Sequence, residues 1–162
     1  MSGSDRQAIT AYIALGANLG DPAATLLKAM EALAALGEVA LVKRSSLYRT
    51  VPVESSGPDY VNAVVEILTT LTAPSLLDQL LHLEQAAGRE RPYRNAPRVL
   101  DLDVLTYGEA SVTSTDLVIP HPRMNERAFV LVPLAEIAPH KVSAERLQSV
   151  QTQSVELLLR VQ

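Results

Sequence analysis

Apolar and polar residues alternate along Ile9-Thr10-Ala11-Tyr12-Ile13-Ala14-Leu15, the period-two pattern of a strand with one buried face, which ends at Gly16. Gly16-Ala17-Asn18-Leu19-Gly20 has turn chemistry, and Asp21-Pro22 supplies an N-cap followed by proline at the first helical position. A helix follows, because Leu26, Met30 and Leu33 share a face with Leu27 and Ala34; Gly37 is its stop. Val39 to Tyr48 reads as a second strand, and a loop runs from Arg49 to Pro58. In the third strand, Tyr60 to Thr69, one face carries Tyr60, Asn62, Val64, Glu66 and Leu68, and the other Val61, Ala63, Val65 and Ile67. Pro74 opens a second helix in which Leu76, Leu80, Leu83 and Ala87 recur at helical spacing up to Gly88. Arg89 to Arg98 reads as a loop, Val99 to Tyr107 as a fourth strand, and Leu117 to Ile119 as a short extended piece. Beyond Pro120, the prolines at 120, 122, 133 and 139 permit only short helical pieces, and a polar helix is predicted from Val150 to Arg160.

Strand, helix, strand, strand, helix, strand is the order of a ferredoxin-like α+β unit, with helices packed on a mainly antiparallel sheet. The 162 residues, 48% apolar, match one domain with a substantial core; residues 1–7 read as a disordered polar tail. A net charge of −4 gives no basic excess to attract nucleic acid, so any bound anion must be met locally. The absence of cysteine excludes a disulfide scaffold, a thiolate metal site and a cysteine nucleophile. No apolar run approaches membrane-spanning length, so a cytoplasmic chain is expected, with a monomer as the default state.

Against that acidic background, one stretch stands out. Asp101 and Asp103 are separated by one residue, so on a strand both carboxylates leave the face opposite Leu100, Leu102 and Val104. Such a pair of hard oxygen donors suits Mg²⁺ completed by waters and phosphates; two solvated acids on a half-buried strand are the plain alternative. Arg89, Arg91, Arg94 and Arg98 crowd the loop just upstream, and guanidinium forks match phosphate oxygens, although a basic loop can also be merely solvated. Glu84 opposes the macrodipole in the last turn of its helix, an anomaly that pairing with Arg89 or with a ligand hydroxyl would resolve. Asn62 shares a face with Tyr60, and a buried amide needs partners that either a neighbouring loop or a flat heterocycle supplies. His121 lies in a rigid Pro-His-Pro-Arg segment followed by Arg127 and Phe129, whereas His82 and His140 read as structural or exposed. A G-x-x-x-x-G-K-[ST] loop, a G-x-G-x-x-G fingerprint, H-E-x-x-H and G-x-S-x-G are all absent, so phosphate handling falls to arginines and metal.

Several segments together resemble the 6-hydroxymethyl-7,8-dihydropterin pyrophosphokinase family of folate biosynthesis, from Ala11 to Pro139. They are Tyr12 to Gly20, Leu47 to Thr50, Asp59 to Ala63, Glu84 to Arg89, Pro97 to Asp103 and Ile119 to Pro122, with Pro-Arg-x-Leu-Asp-Leu-Asp the most specific. The resemblance implies a three-layer α-β-α arrangement and pyrophosphoryl transfer from ATP to the pterin hydroxymethyl group, with release of AMP. It implies that Asp101 and Asp103 bind two Mg²⁺ ions, that Arg89 and Arg98 act catalytically, and that Glu84, Arg89, Arg91, Arg98, His121 and Arg127 line the nucleotide. On the pterin side it implies Tyr60 and Phe129 sandwiching the ring, Asn62 bonding its edge, and Gly16, Thr50 and Val53 completing the slot. Asn95 and Pro122 stand where some members carry tryptophan and tyrosine, which reduces aromatic packing over the nucleotide or its loop. The rival readings are a ligand-binding module without chemistry and a Mg²⁺-dependent nucleotide hydrolase, since fold alone does not separate them.

Overall fold

The computed structural model describes residues 6–51, 58–88 and 99–161. The elements run β1 (Ile9–Ala17), α1 (Pro22–Ala34), β2 (Val39–Arg44), β3 (Leu47–Thr50), β4 (Tyr60–Thr69), α2 (Ala73–Ala87) and β5 (Asp101–Tyr107). Then come β6 (Val112–Thr113), β7 (Val118–Ile119), α3 (Ala128–Ile137), α4 (Ala144–Ser149) and β8 (Glu156–Leu159). The main sheet has the order β5-β1-β4-β3-β8, with β2 also paired to β4, and every pairing is antiparallel.

Both helix starts follow from their caps. The Asp21 carboxylate accepts from Ala24 N at 3.2 Å and the Thr72 hydroxyl from Ser75 N at 3.2 Å, each satisfying a first-turn donor. The predicted apolar stripes of α1 and α2 pack Leu26, Met30, Leu33, Leu76 and Leu80 against Ala11, Ile13 and Leu15 of β1 and Val61, Val65 and Ile67 of β4.

The alternation rule, taken alone, predicts a solvated second face for these strands, and here the structure differs. Tyr12, Val64 and Leu105 on that face are buried against Leu131, Leu134 and Ile137 of α3, which forms a third layer. On this side the Tyr12 hydroxyl donates to Glu66 Oε1 at 2.8 Å, and burial followed by that carboxylate pushes its pKa up to about 12. Helix α3 runs through Pro133, so the prolines break the chain less than expected.

Two other expectations are corrected. The segment Val39 to Tyr48 is two strands, interrupted at Ser45 and Ser46, which are 0% and 1% exposed. The Ser45 hydroxyl accepts from Val64 N at 2.9 Å, and Glu136 of α3 accepts from Ser46 N, the Ser46 hydroxyl and the Tyr48 hydroxyl at 2.9, 2.8 and 2.7 Å. This carboxylate fastens the third layer to the kink. The predicted helix over Val150 to Arg160 is instead a turn followed by β8, which pairs Glu156 with Arg49, Leu157 with Tyr48 and Leu159 with Leu47. Glu, Leu and Arg favour helix locally, but the open edge of β3 offers this segment a ladder and an Arg49–Glu156 ion pair at 2.8 Å.

Candidate active site

Strand register builds the site. On one sheet face, Tyr48, Asn62, Gly16 and Asp101 form a row across β3, β4, β1 and β5, and Val64, Ala14 and Asp103 form the next. Farther along the same face, α3 covers Tyr12, Val64 and Leu105. Short of the helix N-terminus the face is open, and small residues on the central strand, Ala14 and Gly16, leave a floor between the Asn62 side and the aspartate side. The result is a cavity of about 660 Å³, within the range of small-molecule sites.

One wall is fixed by hydrogen bonding. The Thr50 hydroxyl donates to Asn62 Oδ1 at 2.8 Å, and both residues are buried. That bond orients the amide, whose Nδ2 has no protein acceptor among the described residues and faces the cavity as a donor. Gly16 makes room for it, since a Cβ at that position would lie 3.0 Å from Asn62 Nδ2. Tyr60 and Phe129 line the same cavity, and the Arg127 guanidinium carbon stands 5.4 Å from the centre of the Phe129 ring.

The opposite wall is carried by β5. Asp101 is half-buried and Asp103 exposed, both lining the cavity, while Leu102 and Val104 enter the core on the other face. Leu102 N, between the two aspartates, donates to Glu84 Oε2 at 2.7 Å, so the end of α2 anchors the strand at this point. The carboxylate at the last turn of α2 therefore meets a backbone donor, and it is not among the residues lining the cavity.

His121 completes this side. Burial, the largest influence, holds its imidazole below the usual histidine range; Asp103 pulls it up, and Arg127 and Arg123 push it down. Its Nδ1 accepts from Arg123 N at 3.2 Å, which assigns the neutral ring proton to Nε2.

Of the residues singled out in the sequence, Gly16, Thr50, Tyr60, Asn62, Asp101, Asp103, His121, Arg127 and Phe129 line this one cavity. Val53, Arg89, Arg91, Arg94, Asn95 and Arg98 lie outside the described residues. Arg123, which the sequence offered only as a neighbour of His121, is on the lining, and sequence reasoning missed Glu126 and Gln153 there. Gln153 carries no motif, because its place depends on a turn that the predicted C-terminal helix would not contain.

Among the described residues no group of three or more His, Cys, Asp and Glu is placed to hold a metal ion. Two hard oxygen donors facing a roomy cavity fit a cation that keeps waters and takes further oxygens from a bound phosphate, as Mg²⁺ does. Among the described residues no helix is long and apolar enough to cross a membrane.

Residues 12–139 match the family model for 7,8-dihydro-6-hydroxymethylpterin-pyrophosphokinase. A protein of Methylorubrum extorquens named 2-amino-4-hydroxy-6-hydroxymethyldihydropteridine pyrophosphokinase is 51% identical over 133 residues, covering 82% of this chain and 84% of that protein. A Haemophilus influenzae protein of the same name is 47% identical over 131 residues, covering 80% of this chain and 82% of its own. Among solved structures, an HPPK-DHPS in complex with substrates superposes with a TM-score of 0.67 at 13% identity, over 90% of this chain and 43% of that one. Plasmodium falciparum HPPK-DHPS with pterin and p-hydroxybenzoate gives 0.65 at 14% identity, over 83% of this chain and 40% of that one. The chain thus spans about two fifths of those larger proteins, and the likeness to them is one of fold. With its sheet, its cavity and these matches together, the chain belongs to the 7,8-dihydro-6-hydroxymethylpterin-pyrophosphokinase family.

Proposed function

We propose that this cavity transfers pyrophosphate from ATP to the hydroxymethyl group of 6-hydroxymethyl-7,8-dihydropterin, the reaction named for the family and its relatives. The observation that carries the assignment of roles is the pairing, across one floor of small residues, of an amide-and-aromatic wall with a two-carboxylate wall. A pterin ring fits between Tyr60 and Phe129, with its amide-like edge accepting from Asn62 Nδ2. That placement aims the hydroxymethyl group toward Asp101 and Asp103.

The triphosphate then lies on the aspartate side, where Arg127 and neutral His121 donate to its oxygens. Asp101 and Asp103 would hold Mg²⁺, which supplies neutralisation of charge on the phosphoryl oxygens. The acceptor hydroxyl oxygen forms a bond to the β-phosphorus and gives up its proton to solvent, the bond from that phosphorus to the α,β-bridging oxygen breaks, and AMP leaves with the bridging oxygen. The chain's own part is alignment and electrostatics: the sheet register fixes the acceptor relative to the carboxylates, and Glu84 fixes the strand that carries them. The resemblance to the family assigns Arg89, Arg91 and Arg98 to the nucleotide, with Arg89 and Arg98 offsetting charge on the transferred group, and Val53 to the pterin.

Phosphorus NMR of the protein with ATP, Mg²⁺ and the pterin alcohol tests this. AMP and a pterin diphosphate should accumulate with no ADP. AMP formed at the same rate without the pterin identifies a hydrolase instead, and unchanged ATP beside a bound pterin identifies a binding module.

A further inference from the structure

Helix α3 starts without a cap of its own. Arg127 at the N-cap position is extended (φ −122°, ψ 113°), and its side chain makes no capping bond. The first helical N–H, on Ala128, donates instead to Gln153 Oε1 at 2.9 Å, and Gln153 Nε2 donates to the carbonyl of Glu126 at 2.8 Å. One primary amide thus straddles Arg127, taking the N–H after it and the carbonyl before it as a neighbouring strand would. Gln153 is itself held, since its N–H donates to the Val150 carbonyl at 3.0 Å and Val150, 3% exposed, is rooted in the second core.

The straddled segment is the one that presents Arg127 and Phe129 to the cavity, and Gln153 lines that cavity beside them. A shift in the 126–128 backbone would move the Phe129 ring and the Arg127 guanidinium together, because they stack at 5.4 Å. We infer that Gln153 is a positioning residue for the pterin site: through two hydrogen bonds it fixes the start of α3 so that Phe129 meets the ring at stacking distance. It lies outside the family match, which covers residues 12–139, and so adds a contribution from this chain's C-terminal segment. The inference rests on the reading of Phe129 as a pterin contact given above.

The test is a double-mutant cycle in the full chain. Gln153→Met keeps the length of the side chain and deletes both bonds, so KM for the pterin alcohol should rise roughly tenfold, the scale of about one net hydrogen bond, with kcat changed less than KM. Gln153→Glu keeps an acceptor for Ala128 N–H and should show a smaller rise. In a Phe129→Ala background, Gln153→Met should add almost nothing to the KM already lost, because its effect passes through the absent ring. A staple serving stability alone would lower Tm in both Gln153 variants and leave KM at the wild-type value, which overturns the inference, as does full additivity with Phe129→Ala. Wild-type protein separates the two readings. If it makes no AMP, the transfer reading fails, and the same cycle is scored on the Kd for the pterin from quenching of its fluorescence.

Discussion

The two walls of the cavity are built on different physical principles. The Asn62 wall is finished before any ligand arrives: Thr50 and Asn62 are buried, the amide is oriented by a 2.8 Å bond, and Gly16 is small because that amide is beside it. The Asp103 wall is left open, with an exposed carboxylate, a half-buried one and a backbone anchored from behind by Glu84. A neutral heterocycle is recognised by a few fixed donors and acceptors, and rigidity raises that selectivity. A polyphosphate with metal brings its own charge, and full desolvation of charged carboxylates beforehand would cost several kcal/mol, on the order of the penalty for burying ions. Preorganisation and openness are therefore divided between walls according to the charge of what each receives.

Substitutions break this division with graded effects. Replacing Asp101 or Asp103 with Ala should reduce AMP formation by roughly three orders of magnitude, as expected when ~4 kcal/mol of charge stabilisation is lost, while far-UV circular dichroism stays unchanged. Turnover within twofold of wild type would remove β5 from the chemistry. On the fixed wall, Asn62→Leu should raise the pterin KM by about 30-fold and leave the KM for ATP near wild type, since leaving the ring edge desolvated without its donor costs ~2 kcal/mol. An equal rise in both constants would show that the walls are not separable.

Glu84 sharpens the contrast because it acts from behind the open wall. Glu84→Ala should lower turnover about tenfold by leaving Leu102 N without its acceptor, and Glu84→Gln should restore most of it, since an amide oxygen accepts the same bond. Gly16→Ala asks only for a small displacement of the Asn62 amide, a flexible side-chain end at 3.0 Å, and should raise the pterin KM by about threefold.

The smallest effect concerns acid. His121 has a folded-state pKa below the unfolded value of 6.5, mainly because it is partly buried, so the unfolded chain takes up a proton first as pH falls. Its contribution to stability is present above 6.5 and is lost as pH drops from there toward the folded-state value. Thermal melts of His121→Gln between pH 7.5 and 5 should therefore show a shallower fall in Tm than wild type; parallel curves would show that the imidazole does not titrate differently in the two states.

Much of this site was legible in the chain because register on a strand is a local property. Asp101 and Asp103 at i and i+2, and Tyr60 and Asn62 likewise, had to share faces once their segments were extended. That the two pairs look into one cavity depends on β1 lying between β4 and β5, a spatial order that no local pattern announces. The failures arose where distant partners outvoted local preference. Ser45 and Ser46 look like ordinary strand residues until Glu136, 90 positions away, accepts from the second of them. Leu157 to Leu159 look helical until the edge of β3 is there to pair with them. The third layer came from the resemblance and not from the local pattern: nothing in the alternation of Tyr12 and Ala14 announces α3 arriving more than a hundred residues later.

The edge strand β8 and the turn before it also bear on where this protein can be cut and joined. Trimming it to residues 12–139, the span of the family match, would strip a sheet edge from β3 and take away the strand that pairs with Leu47 to Arg49. The smallest transplantable unit is consequently longer than the homologous core, and a chimera grafted at Pro139 should be built to carry the native tail along.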